Sequence, residues 1–545
     1  MKNKAFTLVE LLAVIVILAI ILIVAVPAIS NVIEVAKKST LDSQVKFLHR
    51  AALTKYEEDP SYAFEALNKS NLKQELGMDG TTFEAVGIEV NSGKITATLV
   101  KEGLSATTSN DTAVNDAKVY GLYWDGNNTF TRTDDAVALT TTNVGIGATP
   151  ATNNFDTAEI YSEMTEETDS YGNKFIKIPK FYIKKTVNGS AWTWQISKTN
   201  KDGEYYLPAC FVDETTGKIF PYILVGKYNA NLSTDGIRLE STPGKVPLVS
   251  KTITQFRNYA KANGAGYQML DIHVIDILQV LFYIEFAMLD SQTKMYGFAT
   301  GQYNSIHTIT SVGANTVTLS TGKGVEYRVG QLIDIGTSLG GRQIARNLRI
   351  TNISGDTITY QTVVGETSSV ISGTIAVGQI VYNVGYLNGT TDTVIAKSGS
   401  MTSNSDGKYA MKYRGIENIY GNIWQFVDGV NIKADHKAYV SKNADTYLSD
   451  KFDGDYTSLG YTNANTNGYV LKMGYDKNRP YAQFPISVGS GKYGDYYYQQ
   501  TGNRIALLGG YWYIGSNAGA SIWHLYNASS YANFYIGSRL LKTPF

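Results

Sequence analysis

Apolar positions run along this chain in several different rhythms, and each predicts a different element. From Leu11 to Ile29 the run is unbroken and about long enough to cross a bilayer as a helix. Beyond Ser30 it narrows to one face. Val32, Ile33, Val35, Leu41, Val45, Leu48 and Ala52 recur near helical spacing, and Pro60 ends the segment. A short second helical run, AFEALNKSNLKQELG, leads into FEAVGIEVNSGKITATLVKEG. There Asn91-Ser92-Gly93 separates two alternating runs and predicts a hairpin. The small, polar stretch SATTSNDTAVNDAK then predicts a linker.

Further on, Phe175–Lys185 alternates aromatic and β-branched residues as a strand does. TQFRNYAKANGAGYQMLDIHVIDILQVLFYIEFA predicts two helices. The second starts near Asp271, an N-cap residue type, and is apolar almost all round, so it should be buried. Gly301–Ser400 is rich in Thr, Gly and Val and carries an internal echo: ITSVGANTVTL from Ile309 and ITNISGDTITY from Ile350. Both alternate around a Gly/Asn/Asp turn and predict two hairpins of a small β-barrel. The echo assigns no chemistry to the insertion.

Composition narrows the functional classes. Lys plus Arg and Asp plus Glu both number 48, which argues against a generic nucleic-acid binder, so no nucleic acid is expected as a partner. The one cysteine, Cys210, can form neither an intrachain disulfide nor a Cys-based zinc cluster. His49, His273, His307, His436 and His524 are scattered without HExxH-type spacing, so no metal and no cofactor is expected. No Walker-type phosphate loop occurs, and no carboxylate spacing singles out a glycosidase pair. The expectation is a protein that is not an enzyme.

The chain begins MKNKAFTLVELLAVIVILAIILIVAVPAIS, with Lys2 and Lys4 ahead of the apolar run. The residues by themselves fit a membrane anchor or a secretory signal peptide. Both meet a difficulty at Glu10, a carboxylate set against the apolar segment. The signal peptide also lacks a good cleavage box, because Ala25-Val26-Pro27-Ala28 is a poor one. A short basic leader followed by FTLVELL resembles the class III leader of type IV prepilins and pseudopilins. The resemblance implies cleavage by prepilin peptidase between Ala5 and Phe6 and methylation of the new N-terminus at Phe6. It implies a helix that is first a membrane anchor and then packs among other pilin subunits. Glu10 would pair with a neighbouring subunit's terminal amine, and Pro27 would bend the helix. Ala5 stands where the family most often has Gly.

Past the linker, IPKFYI, the Asp271 helix, GNIWQFVDG and the closing GGYW…IGSRL occur in an order that resembles the C-type lectin fold. The version is the one shared with formylglycine-generating enzymes and with phage or bacterial receptor-binding proteins. The resemblance covers about Val119–Thr300 and Lys408–Phe545. It makes Trp424, Gly509, Gly510, Trp512, Trp523, Gly537 and Arg539 scaffold residues. The cysteine-oxidising branch of that family needs a thiol near the closing strands, and Cys210 lies far upstream. Neither E-P-N nor Q-P-D, the tripeptides of calcium-dependent sugar binding, is present.

From Tyr511 to Ser538 the chain holds no Lys, Glu, Asp, Gln or Met; it holds two Trp, one His and repeated Tyr, Asn, Ser, Ala and Gly, with a few Ile, Leu and Phe. Tyr with Ser, Gly and Asn is the vocabulary of antibody binding loops. Lectin folds closing on G-G-x-W…I-G-x-R-L are also the usual targets of diversity-generating retroelements, which recode template adenines. Every residue of Tyr511–Ser538 except Trp512 and Trp523 belongs to the set such recoding reaches. The candidate variable contacts are Tyr511, Tyr513, Ile514, Ile522, His524, Tyr526, Tyr531, Phe534 and Tyr535. An ordinary Tyr-rich carbohydrate-binding surface would look the same in one sequence.

The expected class is α+β: a long N-terminal pilin helix with a small β head, then a C-type lectin-like domain interrupted by a small β-barrel-like insertion. The expected boundaries are a leader at 1–5, a pilin helix at 6–57, a pilin head at 58–104 and a linker at 105–118. The lectin-like domain occupies 119–300 and 401–545, with the insertion at 301–400. The expected function is cell-surface binding of a protein, glycan or phage by a minor or tip pilin, anchored in the cytoplasmic membrane or a pilus. The alternative is a non-diversified adhesin or a pseudopilin of a secretion or DNA-uptake system.

Overall fold

A computed structural model describes residues 33, 36–110, 117–141, 153–300, 307–338, 340–400, 404, 406–491 and 494–544. The chain forms two compact units. One comprises Met1–Asp116, Thr199–Tyr206 and Thr216–Ile219, and the other comprises Ala117–Lys198, Leu207–Thr215 and Phe220–Phe545.

In the first unit a helix over residues 36–58 buries Leu41, Val45, Leu48 and Ala52, the face its spacing predicts. These side chains pack in one core with Ile88, Ile95, Ala97, Leu99 and Ala106 of a three-stranded antiparallel sheet. The first hairpin joins Ala85–Asn91 to Lys94–Lys101 through Ser92 and Gly93, both at positive φ as the tight two-residue turn requires. A second such turn at Glu102-Gly103 leads into Leu104–Ser109, which pairs with Lys94–Lys101. Residues 105–109 are therefore strand rather than linker. Glu102 is an uncommon residue for positive φ, which conceals the turn in the sequence. Thr199–Tyr206 and Thr216–Ile219, which the sequence places with the lectin-like part, also belong to this unit. Lys218 forms a parallel bridge with Val86, and Ser105 Oγ donates to the Tyr205 carbonyl at 3.2 Å.

The second unit is mostly β. Phe175–Lys185 is two strands instead of one. Lys174–Pro179 lies in a five-stranded sheet and Tyr182–Asn188 in a four-stranded sheet. The break follows Pro179, which has no N–H to carry the ladder on. The five-stranded sheet also joins Tyr222–Gly226 to Leu540–Lys542, so the end of the chain is held beside an early strand. Helix Ile253–Lys261 starts with a capping box between Thr252 and Gln255. Helix Ile272–Phe286 is capped by Asp271, whose carboxylate accepts from Val274 N at 2.8 Å, and all its residues are buried. Its charged side chains are paired. Asp276 meets buried Lys185 at 2.6 Å, and Glu285 accepts two hydrogen bonds from buried Arg414.

Within residues 307–386 six strands close into a barrel. They are His307–Gly313, Thr316–Leu319, Gln331–Gly336, Ala345–Ser354, Thr357–Gln361 and Ile380–Tyr386. The pairing of Gln331–Gly336 with Ala345–Ser354 completes the ring. The two echoed segments are two of its hairpins, paired through Thr316–Leu319 and Thr357–Gln361. Gly399–Ser400 is not part of the barrel and pairs with Met411–Tyr413. Among the described residues no helix is long and apolar enough to cross a membrane; the run Leu11–Ile29 lies outside them.

Candidate ligand-binding face

The signature GNIWQFVDG supplies the strand Trp424–Ile432. It pairs with Arg504–Gly509, which pairs with Gly519–Leu525, which runs parallel to Tyr496–Gln499. Side chains alternate across such strands, so Trp424, Ile522, His524, Tyr496 and Tyr498 share one face with the closing loops. Gly509 and Gly510 both lie at positive φ and turn the chain out of the sheet. A Cβ on Gly510 would stand 2.7 Å from Ile514 Cγ2 and 2.8 Å from Ala518 Cβ. The chain returns beside the sheet when Ile536–Gly537 pairs in parallel with Trp424–Gln425. Gly537 is buried there, and a Cβ on it would meet the Leu248 carbonyl at 2.6 Å.

The aromatic side chains form two layers. Trp424, Trp512 and Trp523 are at most 2% exposed, and Tyr511 is 8% exposed. Trp523 points to the opposite face of the sheet, donating to the Gln483 carbonyl at 3.1 Å and packing on Phe484. Above these lie Tyr513, Ile514, Tyr531, Phe534 and Tyr535, all partly buried, with Tyr526 at 43% exposure. Tyr531 and Tyr535 hydroxyls meet at 3.1 Å, and Asn533 Nδ2 donates to Tyr531 at 2.9 Å. Of the nine candidate contacts, Ile522 does not reach the surface. It is fully buried, because its strand face is covered by the closing loops, and it belongs with the frame. Tyr511 is likewise covered by the outer layer.

Arg539 is buried and makes no ion pair among the described residues. It donates to Gln425 Oε1 at 3.1 Å and to the carbonyls of Gly226, Glu417 and Asn418 at 2.8, 2.7 and 3.1 Å. It ties three segments together under the face, and burial lowers its pKa. His524 lies 4.9 Å from the Trp424 ring, 5.5 Å from Tyr498 and 5.6 Å from Tyr526. Burial among these rings pushes the imidazole down to about 4, so it is neutral near pH 7.

Three tyrosines outside the terminal stretch belong to the same face. Tyr469 meets Tyr496 edge-to-face and Tyr496 meets Tyr498 at a tilt, with centroids 5.0 and 4.6 Å apart. Asn517 bridges two of them, accepting from the Tyr469 hydroxyl and donating to that of Tyr498, each at 2.8 Å. The signal for them in the sequence is the run GDYYYQQ, in which alternation puts Tyr496 and Tyr498 on one side.

Cys210 is buried, and burial raises its thiol well above the ordinary range. Among the described residues no group of three or more His, Cys, Asp or Glu is placed to hold a metal ion. Gly336-Thr337-Ser338-Leu339-Gly340 has the G-x-S-x-G spacing of a nucleophile elbow. There Thr337 and Ser338 follow the barrel strand Gln331–Gly336 as a bend.

The family model for the prokaryotic N-terminal methylation motif matches residues 1–26. The chain has a type IV pilin-like N-terminus. The motif implies processing by prepilin peptidase and partners among pilin subunits, with anchoring in a membrane or pilus. Ala5, Phe6 and Glu10 fall inside the matched stretch and Pro27 directly follows it; all four lie outside the described residues. Comparison with curated proteins gives no match.

Proposed function

We propose that this chain is a minor or tip pilin whose second unit has a C-type lectin-like fold and displays a binding face that is diversified at the codon level. One observation carries the proposal. The side chains of Tyr511–Ser538 sort into a buried frame, with Trp512 beneath the closing loops and Trp523 on the other face of its strand, and a partly exposed layer of Tyr513, Ile514, His524, Tyr526, Tyr531, Phe534 and Tyr535. The frame holds both tryptophans, the residue type that adenine recoding neither alters nor produces, and the outer layer contains only reachable types. The strand order supports a lectin-like reading. Two helices precede the Trp424 strand, and the last strand, Leu540–Lys542, pairs back to Tyr222–Gly226.

On this reading the protein binds and does not catalyse. Large, partly held tyrosines give contact area at low entropic cost, and the neighbouring Asn and Ser adapt their hydrogen bonds. The pilin-type leader accounts for the placement outside the cell. Cells displaying the full chain should adhere to their target surface through this face. Replacing Tyr513 and Tyr535 together by Ala should abolish adhesion without loss of folding, the purified protein keeping a cooperative melting transition. Full adhesion by that variant would contradict the proposal.

A further inference from the structure

The inserted barrel packs against the frame under the aromatic face through Leu332, Tyr382 and Val384, and it sets one cation beside the outer layer. The Arg342 guanidinium lies over the Phe534 ring, 5.2 Å from its centroid. It is held from behind by an ion pair with Asp334, which is completely buried, and by a hydrogen bond to Asn347 Oδ1 at 3.1 Å. Asn347 N donates to the other Asp334 oxygen at 2.7 Å, so the support is itself anchored. Of the five guanidinium N–H groups one is used on Asp334 and one on Asn347. The other three have no acceptor among the described residues, and the side chain keeps 18% of its surface exposed. Phe534 in turn packs on Trp512 and Tyr535, with centroids 6.2 and 5.4 Å apart. Arg342 is thus a preorganised donor edge beside rings that carry no charge of their own.

We infer that the barrel forms one wall of the binding face and that Arg342 recognises an acidic side chain on a polypeptide ligand. The inference rests on the aromatic face being the binding face. A planar guanidinium with a free edge matches a carboxylate through paired N–H···O bonds, and its stacking on Phe534 fixes the plane of approach. No residue from Tyr511 to Ser538 is Lys or Arg, so this cation has to come from elsewhere in the chain. A ligand would lay its apolar part on Tyr535 and Phe534 and turn its carboxylate to Arg342. A polypeptide is favoured because the outer layer has the Tyr, Asn and Ser chemistry by which antibody loops recognise proteins.

The test uses a random peptide display library panned on the full chain, keeping peptides that bind it but not its Tyr535→Ala variant. The kept peptides should be enriched in Asp or Glu and should lose about tenfold or more in affinity on Arg342→Met. Removing Arg342 alone strands the buried Asp334 carboxylate, so the double variant Asp334→Asn/Arg342→Met is measured beside it, with the melting profile as a control. The same loss on the double variant with an unchanged melting profile supports the role. Tyr535-dependent peptides that bind both variants as tightly as the parent overturn it while leaving the aromatic face standing. Binding of uronic-acid glycans with no Tyr535-dependent peptide overturns the choice of ligand. No binding that depends on Tyr535 removes the aromatic face itself and the inference with it.

Discussion

Tyr511 and Tyr535 stack with ring centroids 4.6 Å apart and planes 28° from parallel, and Tyr511 is the covered member of the pair. They come from opposite ends of the closing stretch, so the contact sets how its two halves lie together. It also marks the boundary between layers: residues at or below Tyr511 hold the unit together, and residues at or above Tyr535 face outward.

On the proposed function, that boundary separates stability from binding. Trp512→Ala should cost about 3–5 kcal/mol, because a fully buried indole leaves a cavity. Tyr526→Ala, at a side chain 43% exposed, should cost no more than about 1 kcal/mol. Differential scanning calorimetry of the transition belonging to the β-rich unit checks both. Equal losses for the two would mean that the layers are not distinct.

Arg539 should not tolerate lysine. Arg539→Lys keeps the charge but cannot bridge Gln425 and the carbonyls of Gly226, Glu417 and Asn418 at once. Each buried carbonyl left without a donor costs about 1–3 kcal/mol, so a loss of roughly 3 kcal/mol or more is expected. Chemical denaturation monitored by tryptophan fluorescence measures it. A change under about 1 kcal/mol would show that water replaces the clamp.

Two imidazoles, buried His273 and ring-packed, partly buried His524, should stay neutral through mild acid. Burial puts both His273 and His524 at about 4, against about 6.5 for an unfolded histidine. A folded value below the unfolded one gives stability that is fully present above about pH 6.5. It is lost as pH falls through about 4. His273 is fixed in one tautomer by its Nε2 contact with the Ser441 carbonyl at 2.9 Å. The imidazole proton shifts of both should be flat from about pH 8 to 5 by NMR. A midpoint near 6.5 for either would show that its ring is hydrated.

Much of the fold is legible in the chain itself, and the limits have physical causes. The Asp271 helix shows in the sequence because a capping residue precedes an uninterrupted apolar run, and burial on every side follows from that composition. The barrel hairpins show because strand alternation repeats around recognisable turn residues. The strand Leu104–Ser109 is hidden because Glu102 adopts a turn conformation that its side chain disfavours. Pattern along the chain misplaces Ile522 because it does not say which side of a two-sided strand the loops cover. Tyr469 and Arg342 escape a linear reading because only the fold brings residues that distant in sequence to the closing loops.

At the other end of the chain, Glu10 should matter for assembly and not for insertion. It lies inside the matched methylation motif, and a carboxylate in an apolar bundle needs a cationic partner, so pairing with a neighbouring subunit's terminal amine is the role to test. Glu10→Val should leave membrane fractionation unchanged and reduce recovery in sheared filaments. Normal recovery in filaments would show that the carboxylate has no partner there.

The most direct test of the central claim is deep sequencing of the 3′ end of the gene across a cell population. Reads are predicted to differ at the codons for Tyr513, His524, Tyr526, Tyr531, Phe534 and Tyr535. The differences should fall only where a second, invariant copy of the segment has adenine, with Trp512 and Trp523 unchanged in every read. A uniform 3′ end without such a second copy would contradict diversification and leave a pilin-anchored face of one fixed composition.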